Sequence, residues 1–424
     1  MSDDLDPDTG DDLQGRSSEE QDRDYDTMLA WDDAADRVRA LRERWLDRQA
    51  TETVGLDRIA GRALAEPLDA PAAVPARSHA TMDGFAVDAT DDYPLAVVGG
   101  VFPEDVPPAI ESGEAVRIAT GAPLPSSANA VLKREEATIE DGRLTGPETD
   151  PGTYVSERGS NVAEGERLFA AGERLTPRDA LLLGDLDVDA VTVRERFDIG
   201  LLATGTEIHE GRDRDLDSPM LAGLVRSWGH EATHEGSVPD DSGRVESRIG
   251  ALAREYDVVV TTGGTSVGDK DYVVRALDAL GDVRFHRVRL RPGKPVAVAE
   301  LPDHDAVAFA IPGKPVGAHA ATTLVVRPFF TGDASLSTRP ARMARSVDLG
   351  PSGFAYAIPV ALDDGVATPL GHVDSPLSVY EETFDPSVVS SSTRATRADG
   401  FVLTEAAVDR DQSVDVVPYL AVER

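Results

Sequence analysis

Apolar residues recur with three different spacings along the chain. In WDDAADRVRALRERWL, residues 31–46, they return every three or four positions, which predicts an amphipathic helix whose tryptophans face a core or a partner subunit. Short apolar runs separated by Gly and Pro fill residues 77–150 and the chain from about residue 335, which predicts small β domains. Between residues 196 and 331 apolar strands alternate with helical segments, as in an open α/β sheet.

These spacings divide the chain into parts. Residues 1–26 carry eleven acids and two arginines with few apolar residues, which predicts a disordered acidic tail. Residues 27–76 and 151–195 are expected to join in space around an inserted β domain at 77–150. The α/β domain follows at 196–331, with Ser218 and Pro219 as the cap and first turn of one of its helices. A second β domain occupies residues 335–424.

Three apolar strands of the α/β region run directly into glycine turns. The strands are DIGLLATG, YDVVVTTGG and DAVAFAIPG, and their turns are ATGTE, TTGGTSVGDKDY and IPGKP. If the sheet is parallel, these turns converge at its carboxyl edge, where ligands bind in such sheets. Any one turn alone is equally an ordinary strand-to-helix connection. The first strand lacks GxGxxG, so a dinucleotide site has little support.

The charge of the chain is strongly acidic, with 42 basic and 77 acidic residues and a net charge of −35. This balance argues against nucleic-acid or anionic-membrane binding, which depends on Lys and Arg. Metal storage or a basic partner are alternatives, but the acids are spread along the whole chain. We therefore expect a surface adapted to high salt, as in a haloarchaeal cytoplasm. With no cysteine, no long apolar run and no basic-then-apolar N-terminus, the sequence predicts a cytoplasmic protein.

Lysine is nearly absent, yet three of the four lysines, Lys270, Lys294 and Lys314, lie at glycine or proline turns of the α/β region. An ammonium group suits phosphate or another oxyanion, and Arg291 lies nearby in sequence. The alternative is that these lysines are solvated in exposed turns. We expect a locally positive site for a small anion.

Carboxylates accompany these cations. Glu207, Asp240 or Asp241, and Asp271 fall at the same predicted edge, and Asp83 lies in a Met-Asp-Gly turn of the first β domain. Most acids in so acidic a chain are only surface residues. Carboxylates among cationic turns suit Mg²⁺ bridging a phosphate, whereas the scattered histidines show no zinc-ligand spacing.

Seven motifs follow one another over nearly all of residues 27–424, namely ATMDGFAV, RIATGAPLPSSANAVLKREE, RGSNVAEGERLFAAGERLTPRDALLLGDL, LLATGTEI, TTGGTSVGDKDYV, RLRPGKPVAVAEL and AIPGKPVGA. In this order they resemble the molybdopterin molybdenumtransferase family, the MoeA and gephyrin E-domain type. The resemblance implies a multidomain α/β plus β fold. Its parts would be a molybdopterin-binding three-layer α/β domain, the inserted small β domain, an elongated linker and dimerisation domain, and a C-terminal β-barrel.

The same resemblance implies a reaction and partners. Molybdate would be inserted into adenylylated molybdopterin, with Mg²⁺ as cofactor and release of molybdenum cofactor and AMP. The enzyme would be a homodimer, with the molybdopterin adenylyltransferase as a candidate partner. In the family the cleft lies between the α/β domain of one subunit and the inserted β domain of the other.

Site residues carry over from the family motifs position by position. The implied catalytic carboxylates are Asp83, Glu207, Asp240 and Asp271, and Glu207 and Asp271 are also the implied metal ligands. The implied cofactor-binding residues are Gly205, Gly263, Gly264, Ser266, Gly268, Arg291, Pro292, Gly293, Lys294, Pro312, Gly313, Lys314 and Pro315.

Five positions depart from the family pattern. Asn161 and Thr206 stand where Asp is usual, Pro219 where Asn is usual, Arg291 where Lys is usual, and Lys314 where Asn is usual. Two carboxylates are lost and one cation is gained, which makes the predicted site more positive. A non-catalytic carrier or a tungstate-specific paralogue is therefore the alternative to the molybdenum-inserting enzyme. The adenylylating activity found on the same α/β domain type is disfavoured by the extra β domains.

Overall fold

The structure is a computed structural model that describes residues 28–265, 271–373 and 375–424. The predicted tail at 1–26 lies outside the described residues, as do Ser266 and Gly268. The chain divides into two compact units, of which one is Thr51–Arg194 and the other combines the chain up to Ala50 with Glu195–Arg424. None of the helices in the described ranges has the length and apolar character needed to cross a membrane.

The described chain begins with a short strand and the predicted helix, β1 (Leu29–Ala30) and α1 (Trp31–Leu46). The helix has the predicted bounds. Trp45 is 3% exposed and its Nε1 donates to Glu300 Oε2 at 3.4 Å, so this tryptophan faces the core of its own unit. The sequence grouped residues 27–50 with the segments around 51–76 and 151–195. Helix α1 instead packs in the unit that contains Glu300, because its apolar face is buried there.

The unit Thr51–Arg194 is mostly short strands. Its six-stranded sheet has the order β8-β5-β7-β6-β10-β9, and β2, β3 and β4 pair with β13, β12 and β11. Alternate residues of β5 face two different clusters, Phe85 and Val87 on one side and Ala86 on the other. The elements are β2 (Thr51–Gly55), a 3₁₀ turn (Leu56–Arg58), β3 (Leu68–Asp69), β4 (His79–Ala80), β5 (Gly84–Val87), β6 (Leu95–Val101), β7 (Glu114–Ile118), β8 (Ala130–Lys133), a 3₁₀ turn (Arg134–Glu136), β9 (Thr138–Glu140), β10 (Arg143–Thr145), β11 (Val155–Ser156), β12 (Arg167–Phe169), α2 (Asp179–Asp185) and β13 (Ala190–Arg194).

The other unit contains an α/β region built on a six-stranded sheet of order β15-β14-β16-β20-β19-β17. Strands β15, β14, β16 and β20 are parallel, and β19 is antiparallel to both β20 and β17. The elements are β14 (Asp198–Thr204), α3 (Thr206–His209), α4 (Asp217–Ser227), β15 (Glu231–Val238), α5 (Ser242–Leu252), β16 (Val258–Thr262), α6 (Tyr272–Leu280), β17 (Asp282–His286), β18 (Val288–Arg291), β19 (Ala297–Leu301), a 3₁₀ turn (Pro302–His304), β20 (Ala306–Ile311), α7 (Pro315–Ala321), a π-helical stretch (Thr322–Val326) and α8 (Arg327–Thr331). The three apolar strands β14, β16 and β20 are parallel, which is the condition under which their turns were expected to converge.

Helices cover both faces of this sheet. Along β20, Ala308 packs in a cluster with residues of α5 and α6, such as Val245. The next residue, Phe309, points to the opposite face, where its ring lies 5.2 Å from that of Phe329 in α8. Burial on both faces explains why these strands are continuously apolar rather than alternating.

One predicted helix start is displaced. Helix α4 begins at Asp217, with Leu216 as its cap residue, and not at the predicted Ser218 cap. The carboxylate of Asp215 accepts the backbone N–H groups of Asp217 at 3.2 Å and Ser218 at 3.0 Å. The helix therefore starts before the predicted cap, and Asp215 satisfies two of the free N–H groups at its first turn.

The C-terminal part of the same unit is a barrel-like sheet. Strands β22, β23, β21, β27 and β26 form a closed ring because β22 also pairs with β26, and β18 and β1 extend the sheet from β22. The elements are β21 (Arg339–Met343), β22 (Ala355–Asp363), β23 (Val366–Pro369), β24 (Gly371–His372), β25 (Ser378–Tyr380), α9 (Pro386–Val389), a 3₁₀ turn (Thr393–Arg397), β26 (Gly400–Thr404), β27 (Ser413–Pro418) and α10 (Tyr419–Val422).

Candidate functional site

A cavity of about 620 Å³ lies at the carboxyl edge of the α/β sheet. The described residues that line it belong to the turns after β14, β16 and β20 and to the turn after β18. The segment 214–217 and the region of α9 also contribute to this lining. The turns of three parallel strands thus meet as predicted. The wall contributed by α9 comes from the barrel-like sheet and was not predicted.

The glycine turns are in direct backbone contact. Gly263 has φ +85°, and a Cβ there would lie 2.6 Å from the carbonyl oxygen of Thr204. A Cβ at Gly313 would lie 3.0 Å from the Cα of Gly263. Side chains at these positions would push the turns after β14, β16 and β20 apart, so glycine keeps the floor of the cavity compact.

Two acids reach the cavity from neighbouring turns, Glu207 from the turn after β14 and Asp240 from the turn after β15. Gly205 has φ +134°, and a Cβ there would lie 2.8 Å from Glu207 Oε1, so the Glu207 carboxylate folds back over the glycine. Asp240 also lines the cavity, and it exchanges hydrogen bonds with Thr206. Its neighbour Asp241 instead caps α5, accepting the Arg244 N–H at 2.8 Å. Asp240 therefore lies at the cavity, whereas its neighbour Asp241 is the cap of a helix.

A third acid, Asp217, is buried in the cavity wall at 6% exposure. Its Oδ2 accepts from Thr262 Oγ1 at 3.0 Å, and its Oδ1 has no hydrogen-bond partner among the described residues. Burial raises the pKa of Asp217, the Thr262 hydrogen bond opposes this, and the charge of Asp215 adds to it. This carboxylate is costly to ionise where it lies.

Two cations of the cavity, Arg291 and Lys314, contact the barrel-like part of the unit. The Arg291 guanidinium lies 4.1 Å from the ring centroid of Phe354, an aromatic contact that arginine makes better than lysine. Lys314 Nζ donates to the Ser387 carbonyl oxygen at 3.2 Å. Two backbone segments also join here, since the Val316 N–H donates to Ser390 O at 3.0 Å.

The expected local excess of positive charge is not found among the described lining residues. Four cations face four carboxylates there, namely Arg214, Arg291, Lys294 and Lys314 against Glu207, Asp215, Asp217 and Asp240. The lining is still richer in cations than the chain as a whole, which has 42 basic and 77 acidic residues. The acids of segment 214–217 offset the cations that the sequence singled out.

Two sequence models of known families match the chain. The MoeA N-terminal region (domain I and II) matches residues 29–186, and the probable molybdopterin binding domain matches residues 200–332. The molybdopterin molybdenumtransferase of Synechococcus elongatus is 31% identical over 306 residues, which cover 66% of this chain and 75% of that protein. The chain belongs to the molybdopterin molybdenumtransferase family.

Other relatives and solved structures agree with this membership. The molybdopterin molybdenumtransferase of Haemophilus influenzae is 32% identical over 297 residues, or 66% of this chain and 72% of that protein. A crystal structure of the molybdopterin biosynthesis MoeA protein of Pyrococcus horikoshii superposes with a TM-score of 0.68 at 26% identity, over 92% of this chain and 99% of that chain. The chain therefore has a MoeA-like multidomain fold.

Most of the residues that the family motifs nominated lie around the cavity. Those that line it are Gly205, Glu207, Asp240, Gly263, Gly264, Arg291, Pro292, Gly293, Lys294, Pro312, Gly313, Lys314 and Pro315. The nominated Ser266 and Gly268 lie outside the described residues.

Two nominated carboxylates lie elsewhere. Asp271 is not among the described residues that line the cavity; its Oδ1 caps α6 by accepting the Val274 N–H at 3.3 Å, and burial raises its pKa. Asp83 belongs to the unit Thr51–Arg194. Its Oδ1 accepts from the backbone N–H and the hydroxyl of Thr120 at 2.8 and 2.7 Å, and these bonds lower its pKa.

Sequence reasoning missed several lining residues. Asp215 and Asp217 lie just before a predicted helix, on the segment that follows strand β14. Because β14 ends at the carboxyl edge of the sheet, this position is a signal that could have nominated them. The Pro386–Ser390 wall carries no comparable signal, because it follows a strand of a different sheet. Tertiary packing alone brings it to the cavity.

The predicted magnesium ligands are not brought together at this cavity. Glu207 lines it, whereas Asp271 caps a helix. In the described ranges, no group of three or more His, Cys, Asp or Glu side chains is arranged to hold a metal ion. The Glu207 and Asp271 pair therefore stays a prediction as a magnesium site.

Proposed function

We propose that this chain catalyses insertion of molybdate into adenylylated molybdopterin, releasing AMP and molybdenum cofactor. One observation carries the proposal: the glycine turns and cations of the segment matched by the molybdopterin-binding family form one cavity. The names of relatives that are 30–32% identical support the same activity.

The cations of the cavity suit the two anionic groups of this reaction. Arg291 is held by the Phe354 ring, so its donors are oriented before an oxyanion arrives. Lys314 uses one donor on Ser387, and an ammonium has three, which leaves capacity for molybdate or an adenylate phosphate. Lys294 adds a third positive charge at the same wall.

The glycine turns and carboxylates have complementary tasks. Gly263 and Gly313 let the strand-end turns approach one another, so their backbones form a compact floor suited to a flat pterin or a phosphate. Glu207 and Asp240 are acceptors at the cavity and suit a water molecule that attacks the adenylate phosphorus. Their role is to orient that water and accept its proton as AMP leaves.

The assay that tests this function supplies adenylylated molybdopterin to the full chain in concentrated KCl, with molybdate or tungstate, and measures AMP by chromatography. We expect molybdate-dependent AMP release, lowered about 10²–10⁴-fold in Glu207→Gln, the usual contribution of a general base. Glu210→Gln is the matched control, since Glu210 is an exposed neighbour paired with Arg212.

Other results of this assay would favour one of the alternatives to a molybdenum-inserting enzyme. Tight pterin binding without AMP release for either metal would contradict the enzyme and favour a carrier. AMP release with tungstate alone would favour the tungstate-specific alternative. Repeating the assay in EDTA tests the magnesium requirement that the family resemblance predicts.

Further expectations from the family stay predictions. They are a homodimer, participation of Asp83 in the reaction, contact with the molybdopterin adenylyltransferase, and a cytoplasmic location. The four-domain boundaries are likewise proposed, at 27–76 with 151–195, 77–150, 196–331 and 335–424. Asp83 suits a polar role, because the Thr120 hydrogen bonds favour its ionised form.

A further inference from the structure

Thr206 and Asp240 are joined by two reciprocal hydrogen bonds. The Asp240 backbone N–H donates to Thr206 Oγ1 at 3.0 Å, and the Thr206 backbone N–H donates to Asp240 Oδ2 at 3.4 Å. Each side chain thus accepts from the backbone of the other residue. The two residues are far apart in sequence, so this is a tertiary contact and not a local helix cap.

The Thr206–Asp240 pair lies just beyond the last paired residues of strands β14 and β15. Strands β14 and β15 are in register as far as Thr204 and Val238, and the Gly205 N–H still reaches Val238 O at 3.1 Å. Residue 239 is a proline and has no N–H to donate. Backbone pairing therefore gives way to the side-chain pair, which fixes the two turns against each other at the cavity.

We propose that Thr206, which replaces the aspartate that the family usually has there, is a positioning residue. Its hydroxyl holds the backbone of Asp240 and thereby keeps the Asp240 carboxylate at the cavity, within reach of the Thr206 N–H. This inference rests on the proposed function, because it assigns Asp240 a task in the reaction. A carboxylate at position 206 could also accept the Asp240 N–H, but it would place a second negative charge beside Asp240. The neutral hydroxyl keeps the hydrogen bond without that repulsion.

The positioning can be measured without substrate. Hydrogen exchange resolved to the Asp240 amide should be about five- to tenfold faster in Thr206→Val, the effect expected for loss of one ordinary hydrogen bond. Thr206→Ser keeps the hydroxyl and should restore slow exchange. Unchanged exchange in Thr206→Val would overturn the proposal, whatever the activity of the protein.

The catalytic consequence is tested by a double-mutant cycle on AMP release. Thr206→Val should lower kcat about three- to tenfold with little change in KM for adenylylated molybdopterin, and Thr206→Ser should recover it. If Thr206 acts through Asp240, Thr206→Val should add nothing in an Asp240→Ala background. Additive losses, or loss also in Thr206→Ser, would contradict the assignment.

A matched control separates this effect from general destabilisation. Thr90 also contacts an aspartate, but through a local bond in the unit Thr51–Arg194, where its hydroxyl donates to Asp88 Oδ1 at 2.8 Å. Thr90→Val should leave kcat unchanged. A wild-type protein that releases no AMP would refute the proposed function, whereas the exchange experiment would still decide whether Thr206 positions Asp240.

Discussion

At the scale of single residues, the surroundings of Asp217 disfavour the charged form of its carboxylate. It is buried, one oxygen has no partner among the described residues, and Asp215 repels it. Its pKa is raised from 3.8, so the folded protein holds this proton more tightly than the unfolded chain does. The free energy of unfolding should therefore fall as pH rises from 3.8 through the raised pKa.

Asp217→Asn should consequently stabilise the protein at neutral pH. The amide oxygen can still accept from Thr262, while the cost of the buried charge is removed. We expect the melting temperature at pH 7 to rise by about 1–2 °C, equivalent to about 1 kcal/mol in a protein of this size. The gain should shrink as the pH is lowered toward 3.8.

The control for this change is Asp213→Asn, an exposed acid of the same loop, which should have little effect. A gain in Asp217→Asn that is independent of pH would contradict the explanation by burial. Such a gain would point to packing instead of ionisation.

At the scale of elements, Lys314 links the turn after β20 to α9. The link consists of the Lys314 to Ser387 hydrogen bond and the backbone bond from Val316 to Ser390. Lys314→Met should remove the first bond and keep the second. We expect amide exchange across 386–390 to quicken about three- to tenfold, since a charged hydrogen bond contributes about 1.5–3 kcal/mol when buried and less when exposed.

Lys133→Met provides the control for this experiment. Lys133 lies over the Tyr154 ring at 4.3 Å in the other unit, so its loss should not alter exchange in 386–390. Equal exchange in the wild type and Lys314→Met would mean that the backbone bond alone holds α9.

The sequence predicted the elements with strong local patterns and missed those defined by pairing. Helix α1 and strands β14, β16 and β20 follow from helical spacing or continuous apolar runs. Strand β15, with the sequence EATHEGSV, has few apolar residues because it lies at the sheet edge with much of its surface exposed. Only its neighbour β14 determines that it is a strand.

The candidate site shows the same division. Turns such as Gly263 and Gly313 were predictable, because parallel strands bring their carboxyl ends to one edge. The stacking of Arg291 on Phe354 was not, because Arg291 ends β18 and Phe354 directly precedes β22, and these two paired strands are far apart in sequence and share no local pattern. Family resemblance nominated Asp271, but not its position as the cap of α6.

At the scale of the whole molecule, the net charge of −35 should make folding depend on salt. Repulsion among surface carboxylates is screened over about 10 Å at 0.1 M salt and about 3 Å at 1 M. We expect the melting temperature to rise with KCl, with most of the increase below about 1 M, where the screening length changes most.

A scan in KCl tests this directly. Exclusion of salt from apolar surface would instead give a gradual rise that continues at higher concentration. A melting temperature that falls as KCl is added to dilute buffer would contradict adaptation to high salt and remove the support for a haloarchaeal origin.

Strand β18 has a consequence for how such a protein can be rearranged. It leads into the Pro292–Gly293–Lys294 turn, yet it pairs with β22 and β1, not with the α/β sheet. A chain ended after Gly332 would retain the stretch matched by the molybdopterin-binding family and lose the strand that steadies this turn. The α/β region is therefore not an interchangeable module, and shuffling it between proteins would have to carry β22 along.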